Sequence, residues 1–420
     1  MNGTRVMLQV EVDLAGGMLE MESSIQDAVN EVGSLATGQA LARFDTDGSI
    51  IELGGERWSV KGYLPKVYQS PYGEVNIERH VYQRSNGGKT WCPLERDARI
   101  VVTSTPRFAM QVSHKFAAGS SVQVKRDLAE NHGRTVARSY LQGVAEAVGG
   151  IAQAKEQSWS YATPKLDREV ASVAIGIDGT CMLMCHDGYR EAMTGTISLY
   201  GREGERLHTL YVGATPQYGK ASFYARMRHE IEHIKALYPQ ASYAAVADGA
   251  VCNWDFLTPY TDYQVLDFYH ATQYLADASK AAFARDKVAR ESWLNDACHA
   301  LKHKHGAAAR LLKKMQSVAE ANPRVSTDVR NKLDAAITYF RNHKHQMAYA
   351  KYRAKGLPIG SGVTEAACKT LVKQRLCNSG MRWVEQGAKV VLSLRALMLT
   401  QDRWEQFWGK IDQYGLPVAA

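Results

Sequence analysis

A chain of 420 residues with 45% hydrophobic and 22% charged residues has the composition of an ordinary globular protein, with enough length for two or three packed domains. No run approaches the roughly 20 apolar residues needed to cross a bilayer, and Val6-Met7-Leu8 is broken by Gln9, Glu11 and Asp13 too soon for a signal peptide. The formal net charge of +8 favours an acidic partner such as nucleic acid. That charge is concentrated: residues 271–360 hold 17 Lys+Arg against 7 Asp+Glu, which leaves the remainder slightly negative. Seven cysteines, at 92, 181, 185, 252, 298, 368 and 377, form no Cys-x-x-Cys pair, the pattern of reduced thiols in a cytoplasmic protein.

In chain order, residues 22–44 place Ile25, Val29, Val32, Leu35 and Leu41 at spacings near three and four, which predicts an amphipathic helix weakened by Gly33 and Gly38. From 57 to 102 alternating β-branched and aromatic residues predict two hairpins, turning at Pro71-Tyr72-Gly73 and Asn86-Gly87-Gly88. Cys92 stands alone there, which argues against a zinc site. Pro106 suits a first helical position, and Ser121 suits the cap of a helix through Val122, Lys125, Leu128 and Ala129. Asn131-His132-Gly133 then predicts a turn before a helix over 135–148. Two helices about a Gly turn, with Arg134 and Arg138 near the start of the second, have the shape of a helix-turn-helix, although any helical hairpin reads alike. Gly149-Gly150 and 156–160 read as a linker.

The stretch SVAIGIDGT (172–180) is a nearly continuous apolar run ending in Asp178, which suits a strand covered on both faces. Further strands are predicted over 196–199 and 207–212, then an amphipathic helix over 223–237. YAAVA (243–247) is another short buried strand that ends in an acid, Asp248, and 263–268 is a fifth strand. This pattern predicts a mixed sheet of α/β type with Asp178 and Asp248 at neighbouring strand ends. From 271 to about 355 the pattern is helical, Ala-rich and basic. After the break at 357–362 a helix starting near Val363 carries Glu365, Cys368, Lys369, Val372, Lys373 and Leu376, and the chain ends in amphipathic packing helices.

Two acids at adjacent strand ends with a third on a facing helix make a recurrent site for two-metal phosphoryl transfer. Carboxylates held within about 4 Å repel one another, and hard divalent cations such as Mg2+ make the cluster favourable. Glu365, in the first turn of its helix with Ser361 or Thr364 as cap, is the candidate third acid. Each acid also has a plainer use: Asp178 and Asp248 as turn formers before glycine, and Glu365 as a solvated acid favourable to the helix dipole. Cys181, Cys185 and His186 have ligand-like spacing, but a strand cannot wrap a metal that way.

IGIDGT, VADGA, DFYHA, PIGSGVTEAACK and GMRW…GA…LR, in this order, make the chain similar to bacterial insertion-sequence transposases of the ISKra type, over about residues 50–410 and most of all over 172–270 and 357–400. The resemblance implies an α/β, RNase H-like mixed-sheet catalytic domain in two parts (165–270 and 357–420) interrupted by a basic all-helical insertion (271–356). Ahead of it would lie a helix and β-hairpin module (1–102) and a helix-turn-helix-like DNA-binding region (103–150). Asp178, Asp248 and Glu365 would be the catalytic ligands of two Mg2+ ions, with Mn2+ able to substitute. Asp267 and His270 would lie beside the active site, where His270 is equally suited to a core or capping role. Relatives often carry a Cys-x-x-Cys zinc knuckle where this chain has Ser85-Asn86-Gly87-Gly88, so no zinc is expected.

The implied activity is binding of transposon-end DNA, strand cleavage with water, and joining of the freed 3′-hydroxyl to target DNA. A homodimer or higher oligomer would do this in the cytoplasm, on the nucleoid and away from membranes. Lys369 and Lys373 would hold phosphates or offset the carboxylates. Lys302, Lys304, Arg310, Lys313 and Lys314, with His299, would clamp the DNA backbone. Arg134 and Arg138 would serve end recognition, and Arg382 and Trp383 complete the candidate DNA contacts, Trp383 either stacking on a flipped base or packing within a helix. The alternatives are a catalytically silent regulator derived from such a transposase and an RNase H-like nuclease that cuts without joining.

Overall fold

Apolar runs and amphipathic stripes sort the chain into two units: one of Met1–Tyr161, Gln386–Met398 and Asp402–Ala420, the other of Ala162–Glu385 and Leu399–Gln401. The computed structural model describes residues 5–156, 158–217, 220–321 and 326–416, so Gln157, within the stretch read as a linker, lies outside the described residues.

The first unit opens with helix α1 (Met18–Ala42) and an antiparallel sheet of β1 (Ile51–Leu53), β2 (Glu56–Gln69) and β3 (Glu74–Arg84). The turn at Pro71-Tyr72-Gly73 joins β2 to β3 as the sequence predicts, but among the described residues this sheet gains no further strand after Asn86-Gly87-Gly88. Trp91 makes an isolated bridge to Tyr82, and Pro93, which has no N–H to offer a ladder, opens the short helix α2 (Pro93–Asp97). Leu41, Tyr68, Val75, Leu94 and Ile100 close the core beneath.

Three helices follow: α3 (Pro106–Ala118), α4 (Ser121–His132) and α5 (Arg138–Lys155). Ser120, rather than Ser121, caps α4 in a reciprocal box with Gln123, and Gly133 ends that helix in the left-handed conformation at φ 60°. Gly149 and Gly150 are not a linker but lie inside α5. A Cβ on Gly149 would come within 2.7 Å of Val390, so the glycine is there for close packing. Arg134, one of the candidate DNA contacts, faces the interior of its unit. It is 7% exposed, donates to Gln69 Oε1 at 2.8 Å and stacks over the Phe108 ring at 5.6 Å, so burial has turned its guanidinium inward. Arg138 is exposed.

In the second unit β4 (Ser172–Met184), β5 (Gly188–Tyr200) and β6 (Arg206–Ala214) form an antiparallel meander. Helix α6 (Ala221–Leu237) leads to β7 (Ser242–Ala247), and α7 (Val251–Leu257) to β8 (Tyr263–Leu266). The sheet order is β6-β5-β4-β7-β8, with β7 parallel to β4 and β8 parallel to β7, so the unit is mixed α/β. Contrary to expectation β4 does not end at Asp178. Its pairing with β7 stops at Ile175↔Ala245, but its pairing with β5 continues to Met184↔Gly188, so the strand leaves the sheet as a two-stranded ribbon.

Helices α8 (Phe268–Ala282), α9 (Lys287–His303), α10 (Ala307–Ala321), α11 (Thr327–His343) and α12 (Tyr349–Ala354) follow β8. Leu301, Met315, Leu333, Phe340 and Tyr349 from these helices share one continuous core with Ile175, Ile197 and Val265 of the sheet. Next come α13 (Gly362–Ala367), a π-helical turn over Cys368–Lys373, and α14 (Gln374–Leu376). The last helices are α15 (Glu385–Leu399) and α16 (Arg403–Tyr414). Gln386–Met398 and the residues from Asp402 on group with the first unit, where buried Arg395 donates to the Ala117 carbonyl at 2.7 Å. Among the described residues no helix is long and apolar enough to cross a membrane.

Candidate functional site

The parallel strands set the level of the acids. β4 and β7 pair from Ser172↔Ser242 to Ile175↔Ala245, and β7 and β8 from Ala244↔Tyr263 to Ala247↔Leu266. Carried on at the same offsets, these registers put Asp178, Asp248 and Asp267 level with one another where the parallel strands part. Asp178 is half-buried. Its Oδ1 accepts from the Gly179 N–H at 2.7 Å and its Oδ2 from the Cys368 thiol at 3.4 Å. Burial, with smaller contributions from Asp248 and Glu365, holds its pKa above the usual carboxylate range. Burial likewise pushes the Cys368 thiol up to about 11, so it stays a neutral donor.

Asp248 is held by residues the sequence analysis did not single out. Its Oδ1 accepts from Ala250 N at 3.1 Å and Asn253 Nδ2 at 3.3 Å, and its carbonyl accepts from Tyr339 Oη at 3.0 Å. Gly249 sits at φ 105°, which a side chain would strain. Buried Asn253 stands among the apolar residues of α7, and that was the available sign. Tyr339, stacked on Tyr274 at 3.9 Å, arrives from α11 with no local sign at all.

Asp267 is 0% exposed. Its Oδ1 caps α8 by accepting from His270 N at 2.6 Å, and its Oδ2 accepts from Ser361 N at 2.5 Å. Ser361 Oγ in turn donates to Glu365 Oε1 at 2.6 Å, so Asp267 acts on Glu365 through one intervening residue. Neither Ser361 nor Thr364 caps α13 with its side chain. Thr364 instead bonds Thr196 of β5 at 2.7 Å, over Gly176, whose missing side chain makes room for the Thr364 hydroxyl. Replacing Asp267 with Ala leaves the buried Ser361 N–H and the half-buried His270 N–H without their acceptor, and the variant is expected to lose about 1–3 kcal/mol of stability in thermal or denaturant unfolding.

Asp178 and Glu365 line one pocket together with Cys368, Lys369 and Lys373. Among the described residues, the carboxylates of Asp178, Asp248 and Glu365 do not form a set with ligand atoms all within 4.8 Å of one another. The set that does is Asp267, His270 and Glu365, and no such set contains Cys181, Cys185 and His186. A larger hollow at the far end of the β4–β5 ribbon, among Cys185, His186, Arg190, Lys220 and Trp383, holds none of these acids.

The basic residues divide. Lys304, Arg310, Lys313, Lys314, Lys369, Lys373 and Arg382 are exposed, whereas Lys302 is half-buried with its ammonium 5.8 Å from the Phe268 ring centre. Trp383 lies not in a packing helix but in extended chain bridged to Met184. Its Nε1 donates to the Leu376 carbonyl at 2.9 Å, and the Arg375 guanidinium covers its ring at 5.2 Å, so the ring is engaged within the protein.

Chemically, the arrangement offers hard oxygen donors at strand ends, neighbouring ammonium groups, and no cation already bound to the acids: among the described ion pairs none involves Asp178, Asp248, Asp267 or Glu365. Compared with protein-family models and with curated proteins, the sequence matches none.

Proposed function

We propose that the chain is an insertion-sequence DNA transposase with an RNase H-like catalytic domain. The carrying observation is the shared level of Asp178 and Asp248 on adjacent parallel strands, with Glu365 entering the Asp178 pocket from a helix packed on the same sheet. The order β6-β5-β4-β7-β8, an antiparallel meander extended by two parallel strands, supports the RNase H-like reading, and the helices between β8 and α13 support that of a helical insertion.

Three carboxylates without a cationic partner, one of them with a raised pKa, fit divalent metal. Asp178, Asp248 and Glu365 would hold two Mg2+ ions, or Mn2+ in their place. Such ions supply charge neutralisation and Lewis-acid polarisation for phosphoryl transfer. Cys368 and the Gly179 N–H fix the Asp178 carboxylate, Asn253 and Tyr339 fix the Asp248 turn, and Asp267 with Ser361 orients Glu365. Lys369 and Lys373 bind phosphate oxygens beside the acids. Lys304, Arg310, Lys313 and Lys314 hold DNA backbone without reading sequence, two such protomers bringing two element ends together.

The test uses linear DNA carrying the flanking inverted repeats of this reading frame, a target plasmid, and Mg2+ or Mn2+. Joined products are expected. Cutting without joining reassigns the chain to the nucleases, and binding without cutting to the regulators.

A further inference from the structure

We propose that Asp267, His270 and Glu365 bind a divalent transition-metal ion, at a centre that shares Glu365 with the Asp178 pocket but uses neither Asp178 nor Asp248. The inference stands whether or not the chain transposes DNA. Its ligand atoms already lie within 4.8 Å of one another, from the N-cap and first turn of α8 and from α13.

Four features point to a cation there. Asp267 and Glu365 bring two carboxylates together, one fully buried, and neither is in an ion pair among the described residues, so their repulsion has no counter-charge. Each Asp267 oxygen accepts one backbone N–H, which leaves each with a lone pair to give. Ser361 bonds both carboxylates, through its N–H to Asp267 and its hydroxyl to Glu365, the outer-shell support that holds metal ligands in place. The fourth is His270, half-buried, whose ring makes no hydrogen bond among the described residues and whose backbone N–H is tied to Asp267, so the imidazole stays close to the carboxylates.

The donor set chooses the metal class. Mg2+ and Ca2+ favour all-oxygen shells, whereas one imidazole with two carboxylates suits a first-row transition ion, Mn2+ among those compatible with the carboxylates. Three protein ligands leave further coordination positions for water or substrate oxygen.

The full-length chain, stripped with chelator, is titrated with Mn2+ alone and followed by electron paramagnetic resonance. Expected is one Mn2+ whose pulsed spectrum carries a directly coordinated imidazole nitrogen. His270→Ala removes that nitrogen coupling and weakens this ion's binding at least about tenfold, while Asp178→Asn retains both coupling and affinity. A wild-type spectrum without coordinated nitrogen overturns the proposal, independently of whether any variant folds. So does loss of the coupled signal in Asp178→Asn with its retention in His270→Ala. Because no DNA is present, failure of strand transfer and failure of this site are read separately.

Discussion

Asp178→Asn is expected to lower strand cleavage and joining by about 10³-fold or more, the scale of several kcal/mol of lost charge stabilisation, while raising the melting temperature of the metal-free protein at neutral pH. Both follow from one carboxylate. Asp178 is half-buried beside Asp248 and Glu365, and its pKa in the folded state is raised above the 3.8 of the free side chain. A raised acid pKa means that folding favours the protonated form. The favourable contribution of this group is therefore present below pH 3.8, is lost as pH rises through the folded-state value, and is a penalty at neutral pH. Asparagine removes the penalty and flattens that part of the acid-range stability profile.

Added Mg2+ is expected to stabilise wild type more than Asp178→Asn. A ligand bound only by the folded state stabilises it by ~2.7 kcal/mol at a hundred times Kd, and wild type is expected to gain this increment while Asp178→Asn gains little. Differential scanning calorimetry with and without Mg2+ checks it. Equal gains in the two proteins would remove Asp178 from the ligand set.

Gly176→Ala is expected to lower stability by about 1–3 kcal/mol through overpacking and to abolish the Mg2+ increment with every carboxylate still present. The methyl group would land on the Thr364 hydroxyl and within 3.3 Å of Thr196 Oγ1, breaking the 2.7 Å bond that fastens α13 to β5. Glu365 follows Thr364 directly and must move with it. Thr364→Ala in the same chain vacates the hydroxyl position, so the double variant is expected to recover part of the Mg2+ response, a coupling that a double-mutant cycle measures. A Gly176→Ala protein with an undiminished Mg2+ response would show that this contact does not hold Glu365 in place.

Much of the second unit could be read from sequence because buried parallel strands announce themselves as short continuous apolar runs. Val173–Ile177 and Tyr243–Ala247 do so, and each leads into its acid. Where β4 goes after Asp178 was not legible, since pairing with β5 alone leaves residues 179–184 without a two-sided apolar signature. Long-range contacts defeated charge and aromatic reasoning in a similar way. Arg134 is a cation and reads as surface, yet it meets Gln69 and Phe108 in the folded unit. Trp383 pairs with Met184 across about two hundred residues of chain, and no local periodicity records that. The Asp267–Ser361–Glu365 chain of bonds was only half visible: the residue types stood in the sequence, but a carboxylate accepting a backbone N–H from 94 positions away leaves no trace in spacing.

The π-helical turn over Cys368–Lys373 has a consequence for how this part of the gene can change length. In a regular α-helix each residue advances by about 100°, which would carry Lys373 progressively away from the line of Glu365 and Lys369. The wider turn takes up one additional residue and lets Glu365, Lys369 and Lys373 face the same pocket. Loss of a single codon between 368 and 373 would restore ordinary helical hydrogen bonding and leave everything downstream in nearly the same phase, because the wider turn is what takes up the additional residue. This stretch can thus lose one residue, and become a better helix, while its second ammonium group still faces the acids.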